Sequence, residues 1–302
     1  MDDPESVATA DFVVALVDEC WSGGDLSRWS QWYPEGHIRR MPDGSTAVGR
    51  APVERVIQGL HEEFPGHRQT QRYLVAGGNL AFRNWSISKP RPDGRTNLGS
   101  LTLDAVTTYL VVDDRLAAAW TTVDRLGFER QKSGESDRGD TRVHPPVIRR
   151  SDQQPHAEML AMVRAALETL LGATEQLSAF EQDVRLHRSI DPAGIGMEAL
   201  AQLGQSWRTA FSGIKIDLLD ETLVWGGDSL AVAWEASGHH SGSFEGVAAT
   251  GREASWGGHA VLRLHAGSVA EVWLWEDRHS LRTRLSDDTA EPSGRGGWTR
   301  SR

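Results

Sequence analysis

The chain has 302 residues, 39% hydrophobic and 25% charged, enough for two domains of ordinary size that each bury a core. Its 42 acidic and 32 basic residues leave a formal net charge of −10. That field repels phosphate backbones, and Arg39-Arg40 and Arg149-Arg150 are runs too short to reverse it, so no nucleic-acid partner is expected. No apolar run approaches the ~20 residues of a membrane helix, and the acidic start MDDPESVATADF lacks the order of a secretory signal. A single cysteine, Cys20, allows neither an internal disulfide nor a Cys-rich zinc site. A cytoplasmic protein that avoids membranes is expected.

In chain order, Phe12, Val13, Leu16, Val17 and Cys20 recur at spacings of three and four, one apolar helix face. Val53, Val56, Ile57, Leu60 and Phe64 mark a second helix. β-rich runs follow, through Trp85 and Tyr109, to Trp120 and Asp124. The polar stretch Glu129–His156, with Pro145-Pro146, shows neither period and reads as a linker. Met159, Val163, Leu167, Leu170 and Leu171 then open another helix, and Leu200, Leu203, Trp207 and Phe211 a further one. Four strands follow: IKIDLLDETLVW, SLAVAWEASGHH, REASWGGHAVLRLH and SVAEVWLWED. From Ser286 the chain is polar and is expected to lack structure.

The halves repeat. Gly49 and Phe64 bracket GRAPVERVIQGLHEEF, and Gly196 and Phe211 bracket GMEALAQLGQSWRTAF, an offset of 147 residues. GGNLAFRNW ends at Trp85 and GGDSLAVAW at Trp234; AAAWTTVDRLGF carries Asp124 and AEVWLWEDRHSL carries Asp277. The offset drifts only from 147 to 153, as loop insertions after a duplication produce. Helices before antiparallel strands predict an α+β fold, here two tandem cones, each a curved antiparallel sheet wrapped around helices. The expected domains are 1–130, a linker at 131–155, 156–285, and a tail at 286–302.

The second half resembles the SnoaL-like polyketide cyclases of the nuclear transport factor 2-like superfamily. The resemblance rests on Ala210-Phe211-Ser212-Gly213, Trp234-Glu-Ala-Ser-Gly238-His239-His240-Ser-Gly242, Gly246-Val-Ala-Ala-Thr250-Gly251-Arg252 and Glu271-Val-Trp273-Leu-Trp-Glu-Asp277. The first half keeps Glu63-Phe64-Pro65-Gly66, Gly49-Arg50 and the Trp120 to Asp124 ending. It lacks the Thr-His-x-Gly strand and the Thr-Gly-Arg turn.

The resemblance implies that Asp277 is an acid/base moving a proton α to a carbonyl, in intramolecular aldol ring closure. Dehydration, isomerisation, epoxide opening and non-catalytic ligand binding are the alternatives on the same fold. Without the resemblance, a strand-end aspartate opening a turn is the simpler reading. Period two puts Asp277, Trp275 and Trp273 on one face and Glu276 on the other. If the first face looks inward, two indoles wall a flat substrate, with Trp234 beside them. His240, His259 and His187 are candidates to assist, since a neutral imidazole can donate to an enolate oxygen. In the first half Asp124, His37, Trp85 and Tyr109 are the matching pocket residues, with Thr122 as a neighbour. A degenerate first copy serving as a built-in dimer partner is the competing role for that half, and homodimers are a further option. No His-x-His or His-x-x-x-His pair supports a metal, and the family implies no cofactor; the expected partner is a small hydrophobic, polyketide-like substrate.

Overall fold

The computed structural model describes residues 4–40, 45–91, 100–134, 157–188, 194–226 and 228–287. The expected tail beyond 287 and most of the expected linker lie outside the described residues. In the first half α1 (Pro4–Leu16) continues as a π-helical turn at Val17–Ser22, followed by α2 (Trp29–Trp32), β1 (Ile38–Arg40), β2 (Thr46–Val48) and α3 (Arg50–Glu63). Then come β3 (Thr70–Gly77), β4 (Leu80–Lys89), β5 (Leu101–Val112), β6 (Arg115–Val123) and α4 (Arg125–Ser133). The second half runs α5 (Ala157–Leu170), β7 (Phe180–Arg188), β8 (Gly194–Ile195), α6 (Gly196–Ala210), β9 (Phe211–Leu218) and β10 (Val224–Gly226). It ends with β11 (Ser229–His240), β12 (Glu253–His265), β13 (Ser268–Glu276) and α7 (Arg278–Ser286).

The expected α+β order is observed, and the strand order repeats. The first sheet reads β2-β1-β6-β5-β4-β3; the second reads β8-β7-β13-β12-β11, with both β9 and β10 on the far side of β11. Each sheet contains one parallel pair at the same place, β1 with β6 and β7 with β13. Each also slips register at the same hairpin, at Leu110/Val111 and at Arg263/Leu264. The tight turns of those hairpins match too, with positive φ at Asp113 and Asp114 and at Ala266 and Gly267.

The linker begins later than expected. α4 carries Gln131–Ser133, because Asp124 caps it at one end through the Gly127 N–H and Gly134, left-handed at φ 80°, ends it. Composition alone made those polar residues look irregular.

Each sheet covers its own helices on one face. In the second half Val163, Leu167 and Leu170 of α5 and Leu200, Leu203 and Trp207 of α6 pack against Val232, Trp234, Leu262, Val272 and Leu274 in one core. The helices cross closely at Gly204, where a Cβ would stand 2.6 Å from the Thr169 carbonyl oxygen. The opposite faces of the two sheets meet each other. Tyr73, Val75, Phe82 and Val106 form a single buried cluster with Val224, Ala231, Val261, Trp273 and Trp275, and Ala118 and Trp120 pack with Ala233.

Candidate active site

Period two correctly groups Trp273, Trp275 and Asp277, but that face turns toward the first half. Val272 and Leu274 face the helices, so their odd-numbered neighbours must face away. Trp275 meets Phe82 edge-on at 6.3 Å, and Trp273 stacks on His187 at 4.9 Å. The two indoles therefore seal the contact between halves and do not line the interior of the second cone.

His187 belongs to the same outer face. Its Nε2 lies 2.7 Å from Glu271 Oε1, while Arg263 Nη2 donates to Glu271 Oε2 at 2.7 Å. Burial raises the Glu271 carboxyl, but hydrogen bonds from Arg263 and His187 outweigh it and hold the pKa below its ordinary value.

His259 also faces the first half. Its Nδ1 lies 2.8 Å from Thr122 Oγ1, and burial pushes its pKa down to about 3, so the ring is neutral. His240 sits apart from these residues, next to the Phe211 ring at 5.2 Å. Its Nδ1 accepts the Thr250 N–H at 3.2 Å. Burial and then Arg252 lower its pKa. Trp234 packs in the helix-covered core across Gly258, where a Cβ would come 2.4 Å from its ring.

Asp277 ends β13 and caps α7, with Oδ1 accepting the Ser280 N–H at 3.1 Å. It lines a cleft of about 70 Å³ between the halves, a volume that roughly two water molecules fill. Trp120 and Thr122 from the first half and Trp234, Trp256 and His259 from the second are its other walls, with Arg40 and Arg284. Arg40 pairs with Glu235 across the junction. The cleft thus unites Asp277, His259 and Trp234; His240 and His187 stand elsewhere.

In the second cone the helices and the inner face of the sheet pack into one core. Its principal polar feature is Glu276, 2% exposed, which accepts from Trp207 Nε1 at 3.0 Å and from Arg188 Nη2 at 2.6 Å. The sequence expectation singled out Asp277 and passed over this neighbour.

In the first half Asp124 does what Asp277 does, capping α4 through the Gly127 N–H at 2.8 Å. His37, Tyr109 and Trp85 face the interior. His37 Nδ1 lies 2.7 Å from the Leu116 carbonyl; burial, then Arg39, lowers its pKa to about 4, so the neutral ring donates that bond from Nδ1. Trp85 Nε1 donates to Thr107 Oγ1 at 3.0 Å. Thr107 lies 3.2 Å from Thr121, and Thr121 accepts from Arg39 at 2.7 Å. Arg39, Thr107 and Thr121 were missed because a single arginine in a two-residue basic run looks like surface charge. Among the described residues no group of three His, Cys, Asp or Glu is placed to hold a metal ion, and no helix is long and apolar enough to cross a membrane.

Residues 157–285 match the family model of SnoaL-like polyketide cyclases. No curated protein sequence matches the chain. Among solved structures, the chain is similar to a candidate SnoaL-like polyketide cyclase from Jannaschia sp. CCS1, at 19% identity and a TM-score of 0.40, covering 45% of this chain and 97% of that one. TsrD from Streptomyces laurentii is 21% identical at a TM-score of 0.38, covering 44% and 98%. A SnoaL-like polyketide cyclase from Agrobacterium tumefaciens is 13% identical at 0.33, covering 41% and 96%.

Proposed function

Starting from a second half that is a SnoaL-like domain, we propose that the protein catalyses acid/base chemistry on a small, mostly apolar carbonyl compound of polyketide type. Intramolecular aldol ring closure is the reaction, without metal or organic cofactor. The observation that carries this reading is the cleft where Asp277 and His259 meet Thr122 and Trp120 of the other half. Asp277 takes the proton α to the carbonyl, its carboxylate oriented by the Ser280 N–H. His259, neutral beside Thr122, donates from Nε2 toward the developing enolate oxygen when Thr122 donates to Nδ1. A cleft this small admits only the reacting end of a substrate, so the rest of the molecule lies toward its mouth.

The first half has a structural share in this reading. Its sheet covers the face that Trp273 and Trp275 would otherwise expose, and Thr122 sets the His259 ring. Fusion of two copies supplies within one chain the sheet pairing that two separate chains would make, an internal pseudo-dimer. The test is turnover of a linear β-polyketone by wild type and Asp277→Asn. A folded Asp277→Asn variant with full turnover would sink the carboxylate mechanism.

A further inference from the structure

The interiors of the two halves differ in charge, and the difference points to a ligand. In the second, Arg188 is neutralised by Glu276, with two bonds of 3.1 and 2.6 Å to one carboxylate oxygen. The residue that occupies the Glu276 place in the first half is Val123: Trp120 aligns with Trp273, Asp124 with Asp277 and Arg125 with Arg278. The first interior lacks that carboxylate yet carries two buried arginines, Arg39 and Arg83, at the places that Leu186 and Val232 hold in the second half.

Arg39 is 3% exposed. Its Nη2 donates to Thr121 and its guanidinium lies 4.6 Å over the Trp21 ring, yet Nε and Nη1 have no acceptor among the described residues. Each fork of the guanidinium joins one of these two nitrogens to Nη2, which keeps a second hydrogen free. Arg83, 1% exposed, is held by the neutral side chains of Gln69 and Gln71 at 2.6 and 3.3 Å. The two arginines share one row of the sheet: Arg39 bonds Thr121, Thr121 pairs in register with Thr107, and Thr107 with Arg83. Neither arginine makes an ion pair among the described residues. An arginine stays charged in a protein interior, and a buried charge without a partner is strongly destabilising. A single aromatic face offsets only part of that.

We propose that the interior of the first half binds a small organic carboxylate, whose acid group takes the place that Glu276 fills in the second half. The carboxylate sits on the free fork of Arg39. Tyr33, Tyr109 and Trp21, clustered around Arg39 in the first-half core, give the rest of the ligand an aromatic surface, so its body is flat and apolar. Tyr33 accepts from Trp21 Nε1 at 2.9 Å, which leaves its own hydroxyl hydrogen to donate. Trp21 lies on the π-helical turn at Val17–Ser22, an irregularity frequent at functional sites.

The test uses the full chain and four probes: 2-naphthoate, the matched neutral 2-naphthamide, benzoate and inorganic phosphate, followed by thermal melts and calorimetry. 2-Naphthoate should raise the melting temperature in a concentration-dependent way, and naphthamide and phosphate should not. Arg39→Met should weaken naphthoate binding at least about thirtyfold. Val123→Glu rebuilds the internal carboxylate, so it should stabilise the unliganded protein and abolish the naphthoate effect. Asp277→Asn should leave naphthoate binding unchanged, which separates this site from the proposed catalytic cleft. No stabilisation by naphthoate or benzoate, equal stabilisation by naphthoate and naphthamide, or stabilisation by phosphate would overturn the proposal. So would a folded Arg39→Met or Val123→Glu variant that binds naphthoate as wild type does.

Discussion

Asp124 and Asp277 end equivalent strands and cap equivalent helices, each holding the backbone N–H three residues on. Asparagine caps a helix as well as aspartate does, so replacing either by Asn preserves the fold and removes only the basicity. Asp277→Asn should lower turnover at least about a hundredfold, the low end of what a positioned acid/base contributes. Asp124→Asn should change it much less, because Asp277, not Asp124, lines the cleft. Steady-state rates with parallel melts read both effects. An inactive but folded Asp124→Asn beside an active Asp277→Asn would move the chemistry to the first half. That the two aspartates correspond was legible in the repeat alone. The missing carboxylate of the first interior was legible there too, in Val123 opposite Glu276, but only once Glu276 was known to face inward. Nothing in a strand's alternation says which of its two faces the helices cover.

At the scale of elements, the strands were easier to foresee than their surroundings. SLAVAWEASGHH alternates little because both of its faces are covered, Val232 and Trp234 by helices and Ala231 and Ala233 by the other half. A strand buried twice reads as a continuous apolar run, and the second cover is a long-range fact that local pattern does not carry. Two elements make stability measurable. Gly204 lets α6 approach α5, and a methyl group there would stand 2.6 Å from the Thr169 oxygen. Gly204→Ala should therefore destabilise the second half by about 1–3 kcal/mol despite its better helix propensity. A gain in urea midpoint would show that the helices separate freely. Ala266 holds a left-handed φ of 48° in the β12–β13 turn, a conformation that costs an L residue roughly 1 kcal/mol. Ala266→Gly should recover part of that, raising the midpoint without altering turnover. A lower midpoint would mean that the lost entropy of the unfolded chain outweighs the relief.

The whole molecule is held together by two sheet faces, and a buried histidine lies where they meet. His259 bonds Thr122 of the other half and lies 6.0 Å from the Phe82 ring. Its folded pKa is pushed down from 6.5 to about 3 by burial, whereas in the unfolded chain it returns to its ordinary value. Between those two pH values the unfolded state binds the extra proton, so stability must fall as pH drops below about 6.5 and level off near 3. The slope for one such group is about 1.4 kcal/mol per pH unit. His37, lowered to about 4, acts in the same direction over a narrower window. Acid also titrates carboxylates, but those are common to wild type and to His259→Gln and cancel in the difference between them. Glutamine keeps a side chain able to bond Thr122 and carries no titrating proton. Urea midpoints measured at pH 7, 6, 5 and 4 should therefore show the wild type losing stability relative to His259→Gln at each step below 6.5. A difference that stays constant with pH would mean that His259 does not stay buried and neutral between the two halves, and the closed junction would have to be given up.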